Sequence, residues 1–297
     1  MPTPTLLFID TNIWLDFYRA RNETGLKLLN HVEALADRLI VTYQLELEFK
    51  KNRQAAILEG MKTLKEPEQI AGPGIFSDIK DTAIAERSRK EMKDRVRLLR
   101  SRLVRVLRNP AANDPVYQVC QRVFHKADDL NLTRDNSMRR TIRRKAFRRF
   151  LHGCPPRKDA DTSIGDPINW EWMIKCAADR RAGLVIVTRD TDYGAILDNA
   201  SYINDHLRQE FSERVSRRRK LILYSRLSDA LKLFKVEVSA QEKESEDQLV
   251  TDAAGRADPK TVPLSVITGT LPLQTSAIDL LERLYGLRSK EAVKQSQ

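Results

Sequence analysis

The chain has 297 residues, with 52 lysines and arginines against 41 aspartates and glutamates, a formal net charge of +11 and a pI near 9.6. That balance makes a polyanion the expected partner. Nucleic acid is favoured over a membrane, because no apolar stretch approaches the roughly 20 residues a spanning helix needs. Cys120, Cys154 and Cys176 are odd in number and form no C-x-x-C pair, which argues against a disulfide framework or thiolate zinc site and, with no leader pattern before Asp10, points to the cytoplasm.

The first element is an apolar run from Thr5 that ends on Asp10 and then Asn12. It fits a strand of a parallel sheet covered on both faces, and such strands deliver their last residues to the edge where ligands bind. Asn12 suits the cap of the helix that follows. Leu28, Val32, Leu35 and Leu39 then recur at helical spacing, and Leu39 to Tyr43 is a short strand running into a helix that carries Glu46 and Glu48 in its first turns. This alternation predicts a doubly wound, mainly parallel α/β sheet with helices on both faces.

Prolines and glycines from Glu66 to Gly74 break the pattern, and a long charged helix follows to about Asn109. Its seam of Met92, Val96, Leu99, Leu103 and Val106 suits either core packing or a homodimer contact. Another helix is expected from Asn113 to Lys126. Next comes the most basic stretch, in which Ile142, Ala146 and Phe150 share one face while Arg139, Arg140, Arg143, Arg144, Lys145, Arg148 and Arg149 cover the others. Residues 61–158 therefore read as a helical insertion into a sheet domain spanning 1–236.

A buried-looking helix follows Asp166, and Leu184 to Thr188 is a second apolar strand, ending on Thr188, Asp190 and Asp192. If this strand neighbours the first, their carboxylates meet. Asp198 to Arg217 reads as helix, and one more strand and helix complete the domain. Residues 237–263, nearly devoid of large apolar side chains, read as a flexible linker. Residues 264–297 form a terminal segment with a short helix from Ser276 to Tyr285.

Singly, each acid has an ordinary role. Asp166 before Pro167 suits a helix cap, Asp190 and Asp192 suit a turn, and Glu48 suits a solvated helix face. Together, two carboxylate-ended strands and acids opening the helices between them suggest a site, and several carboxylates cannot converge as anions without protons or a divalent cation among them. Oxygen-only ligands favour magnesium or manganese.

Four segments resemble the motifs of PIN-domain nucleases: FIDTN, YQLELEF, GDPINWEWMI and VTRDTDYG, the last with Tyr193 in place of the usual phenylalanine. The resemblance implies a metal-dependent endonuclease, with RNA ahead of DNA as substrate and a toxin or defence role in view. It also implies Asp10, Glu48, Asp166 and Asp190 as ligands of Mg2+ or Mn2+, Asp192 as an alternative to Asp190, and Asn12 and Thr188 as partners orienting them. Glu46 competes with Glu48 and Asp161 with Asp166. Such a nuclease needs no histidine base, and His31, His125, His152 and His206 all lie outside the acidic motifs. The arginine-rich helix suits either a holder of the substrate backbone or a solvated basic surface helix anchored by Ile142 and Phe150, and a protein that inhibits or assembles with the nuclease is a candidate partner. The alternative is a non-catalytic nucleic-acid-binding or protein-interaction module on the same fold. A haloacid-dehalogenase-like phosphatase is disfavoured, because Asn12 stands where it would need a second aspartate.

Overall fold

The computed structural model describes residues 4–20, 22–68, 75, 80–157, 163–197 and 200–254, all within one compact unit. β1 (Thr5–Ile9) is buried from Leu6 onward. α1 (Thr11–Asp16) follows at once and is capped by Asp10, whose Oδ1 accepts from Thr11 N at 2.7 Å. Asn12, the expected cap, lies inside the helix. α2 (Glu23–Ala34) leads to β2 (Leu39–Thr42), and α3 (Tyr43–Thr63) continues without a loop because Thr42 Oγ1 accepts from Leu45 N at 3.0 Å.

α4 (Lys80–Arg108), α5 (Pro110–Asn113) and α6 (Pro115–Phe124) come next. β3 (Asn131–Leu132), α7 (Arg139–Leu151), α8 (Gly165–Asp179) and β4 (Gly183–Val187) complete the second stretch. A 3-10 turn at Thr191–Tyr193 opens the hairpin of β5 (Gly194–Leu197) and β6 (Ala200–Ile203). α9 (Asp205–Arg214), β7 (Leu221–Tyr224), α10 (Leu227–Leu233) and α11 (Ala240–Ala254) close the described chain.

The main sheet is parallel throughout, in the order β3-β2-β1-β4-β7. From β1 the chain builds toward β3 and then returns to add β4 and β7 on the other side, so the order reverses between β1 and β4. That is where an open sheet of this kind forms its crevice. The register pairs Thr5 with Gly183 through Ile9 with Val187, which sets Asp10 level with Thr188. α8 packs on β2 and β4 and carries α3, α7 and α9, while α6 packs on β2 and α10 on β4 and β7, with α2 and α11 against them. The result is the expected α/β/α layering. α8 is buried on nearly every side, which explains why its sequence shows so weak a polar face.

Several expectations need correction. The proposed insertion is not separate over its full length: β3 is a sheet strand, α6 packs on β2 and α7 packs on α8. Along α4, Met92 is 57% exposed and Leu99 43%, and Val96 alone of the seam is buried, at 8%, which leaves the seam outside the core. Residues 200–203, expected as helix, form β6, and Gly194 permits the hairpin because a methyl group there would overlap the Tyr202 carbonyl oxygen.

Residues 240–254, expected as linker, are α11. It docks through polar groups: Glu246 accepts from the Leu227 and Ser228 N–H groups that open α10, Ser245 donates to Asn22, and Glu242 meets His31 at 3.1 Å. Glu242, Ser245 and Glu246 are all buried. The expected terminal helix at 276–285 lies outside the described residues.

Candidate active site

At the C-terminal edge of β1 and β4 a cavity of about 440 Å³ is lined by Asp10, Glu48, Asp166 and Asp190, together with Asn12, Gln44 and Lys51. Each acid arrives on a different element: Asp10 at the end of β1, Glu48 in the second turn of α3, Asp166 in the first turn of α8, and Asp190 just beyond β4. Asp166 is not the helix cap, since that position belongs to Ile164.

Asp10 is held by three donors. Thr11 N reaches Oδ1, while Asn12 Nδ2 at 2.9 Å and the Thr188 hydroxyl at 2.6 Å both reach Oδ2. The Thr188 oxygen in turn accepts from Asp190 N at 2.9 Å, and Asn12 Oδ1 accepts from Arg189 N at 3.4 Å. Two strand ends distant in sequence are thus tied through one threonine and one asparagine.

Glu48 is fixed by the Thr11 hydroxyl at 3.1 Å and Gln44 Nε2 at 2.7 Å. Neither Thr11 nor Gln44 was singled out from the sequence, although Gln44 stands one helical turn before Glu48, where a donor would face it. Glu46 points elsewhere and pairs with Lys50 at 2.5 Å and His125 at 2.9 Å. Asp161 lies outside the described residues.

Burial raises the Asp10 carboxyl from 3.8 to about 6, with the charges of Asp190 and Glu48 adding to it against the bonds from Thr188 and Thr11. Asp166 rises further, to about 9, first through burial and then through the charges of Asp10, Glu48, Asp192 and Asp190. Asp192 is buried in the turn after Asp190 and acts on Asp166 through this field. The Tyr193 hydroxyl, fully buried, has no hydrogen-bond partner among the described residues and is pushed well above its ordinary value by burial and then by the same acids.

A family model described as a PIN domain matches residues 7–193. The chain belongs to the PIN-domain family. PIN domains are generally nucleases and typically use divalent metals. Neither the curated proteins nor the solved structures yield a match to the chain. In this PIN domain the donor set suits such a metal in kind: it is all oxygen, and burial together with the neighbouring acids raises two of its carboxyls, Asp10 and Asp166. Among the described residues no three acidic, histidine or cysteine side chains converge closely enough to form a ready-made shell, so the acids would have to draw together around the ion.

The basic helix divides. Arg140, Arg143, Arg144, Lys145 and Arg148 are exposed, and Arg139 lies over the Tyr43 ring at 5.0 Å. Arg149, expected among the substrate contacts, is instead buried and paired with Glu171 and Glu210. It takes the third place in the buried stripe after Ile142 and Ala146, while Phe150 is half-buried under Arg157. Among the described residues no helix is long and apolar enough to cross a membrane.

Proposed function

We propose that this chain is a metal-dependent endonuclease that hydrolyses phosphodiester bonds, with RNA as its substrate ahead of DNA and a toxin or defence role in view. The observation that carries this reading is the meeting of Asp10, Glu48, Asp166 and Asp190 on one cavity at the β1–β4 reversal. Asp10, Glu48, Asp166 and Asp190 hold Mg2+ or Mn2+, with Asp192 lending charge nearby. When present, such a cation supplies activation of water near neutral pH and neutralisation of the charge that builds on the phosphate. Asn12 and Thr188 aim Asp10, Thr11 and Gln44 aim Glu48, and Lys51 brings a positive charge to the lining where a phosphate enters. The exposed arginines of α7 hold the strand by its backbone, which positions it without reading sequence.

Incubation of the purified protein with labelled single-stranded RNA and DNA, in magnesium, in manganese and in chelator, tests this directly. Metal-dependent shortening of one polymer is the expected result; a shift on a gel with no cutting under any metal would favour the binding-module alternative.

Asp10 and Asp166 give the site a pH signature that needs no turnover. Unfolded, both titrate near 3.8; folded, at about 6 and about 9. Between those values the folded chain keeps protons that the unfolded chain has released, so the metal-free protein loses stability as pH rises from 3.8 to about 9. A cation takes the place of those protons. Millimolar Mn2+ is therefore expected to raise Tm, and to raise it more at about pH 8 than at about pH 5.5. An equal rise at both, or none, would remove the ion from these carboxylates.

Gly165 offers a second check. A methyl group there would overlap Glu48 Oε1 and crowd Gln44 Nε2 at 3.0 Å. Gly165→Ala should leave Tm within a few degrees, because a flexible carboxylate can move aside, yet lower cleavage about 10- to 100-fold, as displacing a ligand's support does. Wild-type cleavage would mean that the position of Glu48 is immaterial.

A further inference from the structure

A second hollow, of about 560 Å³, lies where α7 and α9 both pack on α8. Its floor is a closed ion network. Arg149 Nε donates to Glu171 Oε1 at 3.2 Å and its guanidinium also pairs with Glu210. Arg214 donates to Glu171 Oε2 at 2.7 Å and to Glu210 Oε1 at 2.6 Å, and Trp170 Nε1 donates to Glu210 Oε2 at 2.9 Å. Two arginines face two glutamates, so the floor carries no net charge.

The rim is not balanced. Lys145, Arg148 and His152 recur on one face of α7 and its C-terminal end, and His206 and Gln209 look across from α9. The acid of the rim, Glu213, accepts from Gln209 Nε2 at 2.9 Å and keeps its charge, so the rim sets the two cations Lys145 and Arg148 against one carboxylate. Lys145 and Arg148 are exposed, and neither forms a salt bridge among the described residues. Cations and imidazole N–H groups converging over a neutral, fully engaged floor select an anion, and arginine matches phosphate with two parallel bonds. A hollow of this size has room for a sugar behind the phosphate.

We propose that the α7–α9 hollow is a phosphate-binding site. It takes the phosphate group of a nucleotide, free or at the end of a nucleic-acid strand, on Lys145 and Arg148, with His152 and His206 as donors beside them. The hollow shares α8 with the acid cavity but is separate from it: Glu171 stands five residues after Asp166, about 7.5 Å along the axis and about 140° around it. No metal and no turnover are required, so the site stands or falls independently of the nuclease reading.

Calorimetric titration of the full chain in chelator tests it, with adenosine 5′-monophosphate against adenosine, and a short single strand with and without a 5′-phosphate. The phosphorylated ligands are expected to bind and their unphosphorylated counterparts to bind more weakly. Lys145→Ala/Arg148→Ala should weaken the phosphorylated ligands by about tenfold or more, the equivalent of one charge-assisted hydrogen bond, with Tm unchanged. Arg102→Ala/Arg105→Ala, exposed on α4 and outside the hollow, should leave mononucleotide binding as it was. Tighter binding of the phosphorylated strand than of the mononucleotide would name the strand end as the source, and the reverse order would name the free nucleotide. Equal binding of phosphorylated and unphosphorylated ligands, or affinities unchanged within twofold in the Lys145/Arg148 variant, would overturn the proposal.

Discussion

Asp10→Asn should reduce metal-dependent cleavage by more than the roughly 100-fold that losing a ligand's hydrogen-bonding support costs, while the folded chain survives. Asp10 is the acid on which both strand ends converge, with Thr11, Asn12 and Thr188 all donating to it. An asparagine keeps the shape but offers one oxygen where the carboxylate offers two, so its amide meets a donor on one side. The Thr188 hydroxyl can turn to accept from that amide, and removal of a buried carboxylate relieves the burial that lifts Asp10 to about 6. The two effects oppose each other, and a Tm within a few degrees of wild type is expected. Thr188→Val and Asn12→Ala remove donors and leave the carboxylate; they should cost about 10- to 100-fold. Cleavage assays with thermal melts on all three variants decide the matter: unaltered cutting by Asp10→Asn would refute the site.

The largest expected loss of stability comes from Arg53→Ala. On α3, five residues after Glu48, Arg53 donates to Asp114 Oδ2 from Nε at 2.8 Å and from Nη2 at 2.5 Å, and Nη2 also reaches the Val106 carbonyl at the end of α4. Tyr18 adds its hydroxyl to Asp114 at 2.8 Å, and burial, then the charge of Asp114, pushes that phenol far above its ordinary range. Asp114 is 1% exposed and also caps α6 through Tyr117 N. Removing Arg53 leaves this carboxylate buried with a neutral donor and no cation, which costs about 3–5 kcal/mol out of a typical total of roughly 5–15. Urea denaturation measures it. The double variant Arg53→Met/Asp114→Asn should recover much of the loss, because no charge is then stranded. A loss under about 1 kcal/mol for Arg53→Ala would show that water reaches Asp114.

The sheet and the places of Asp10 and Asp190 at its edge are legible because each follows an unbroken apolar run, and a strand covered on both faces has few other ways to be written. What placed those acids together was the pairing of β1 with β4, a matter of topology that a run of residues does not declare. β3 is two residues long, too short for any period to show, and is held by Asn131 Nδ2 donating to the Phe124 and Lys126 carbonyls. α11 leaves no apolar period in the sequence because its buried face is Glu242, Ser245 and Glu246. Arg149 is a related case, because a cation in a basic helix carries no local sign of the two acids, Glu171 and Glu210, that other helices bring against it. In each case the missing information was a partner distant in the chain.

The pairing of β1 with β4 also sets an order of events during synthesis. Thr188 and Asp10, joined by a hydrogen bond, are 178 positions apart. While the chain grows from its N-terminus at about 5–20 residues per second, β1 has β2 for one edge early, but its other edge stays open until β4 emerges. An apolar strand with an open edge invites pairing with other chains. The acid cavity therefore cannot exist on a nascent chain until most of the domain has left the ribosome, and the interval in which β1 waits is when the protein is most exposed to aggregation and to chaperones.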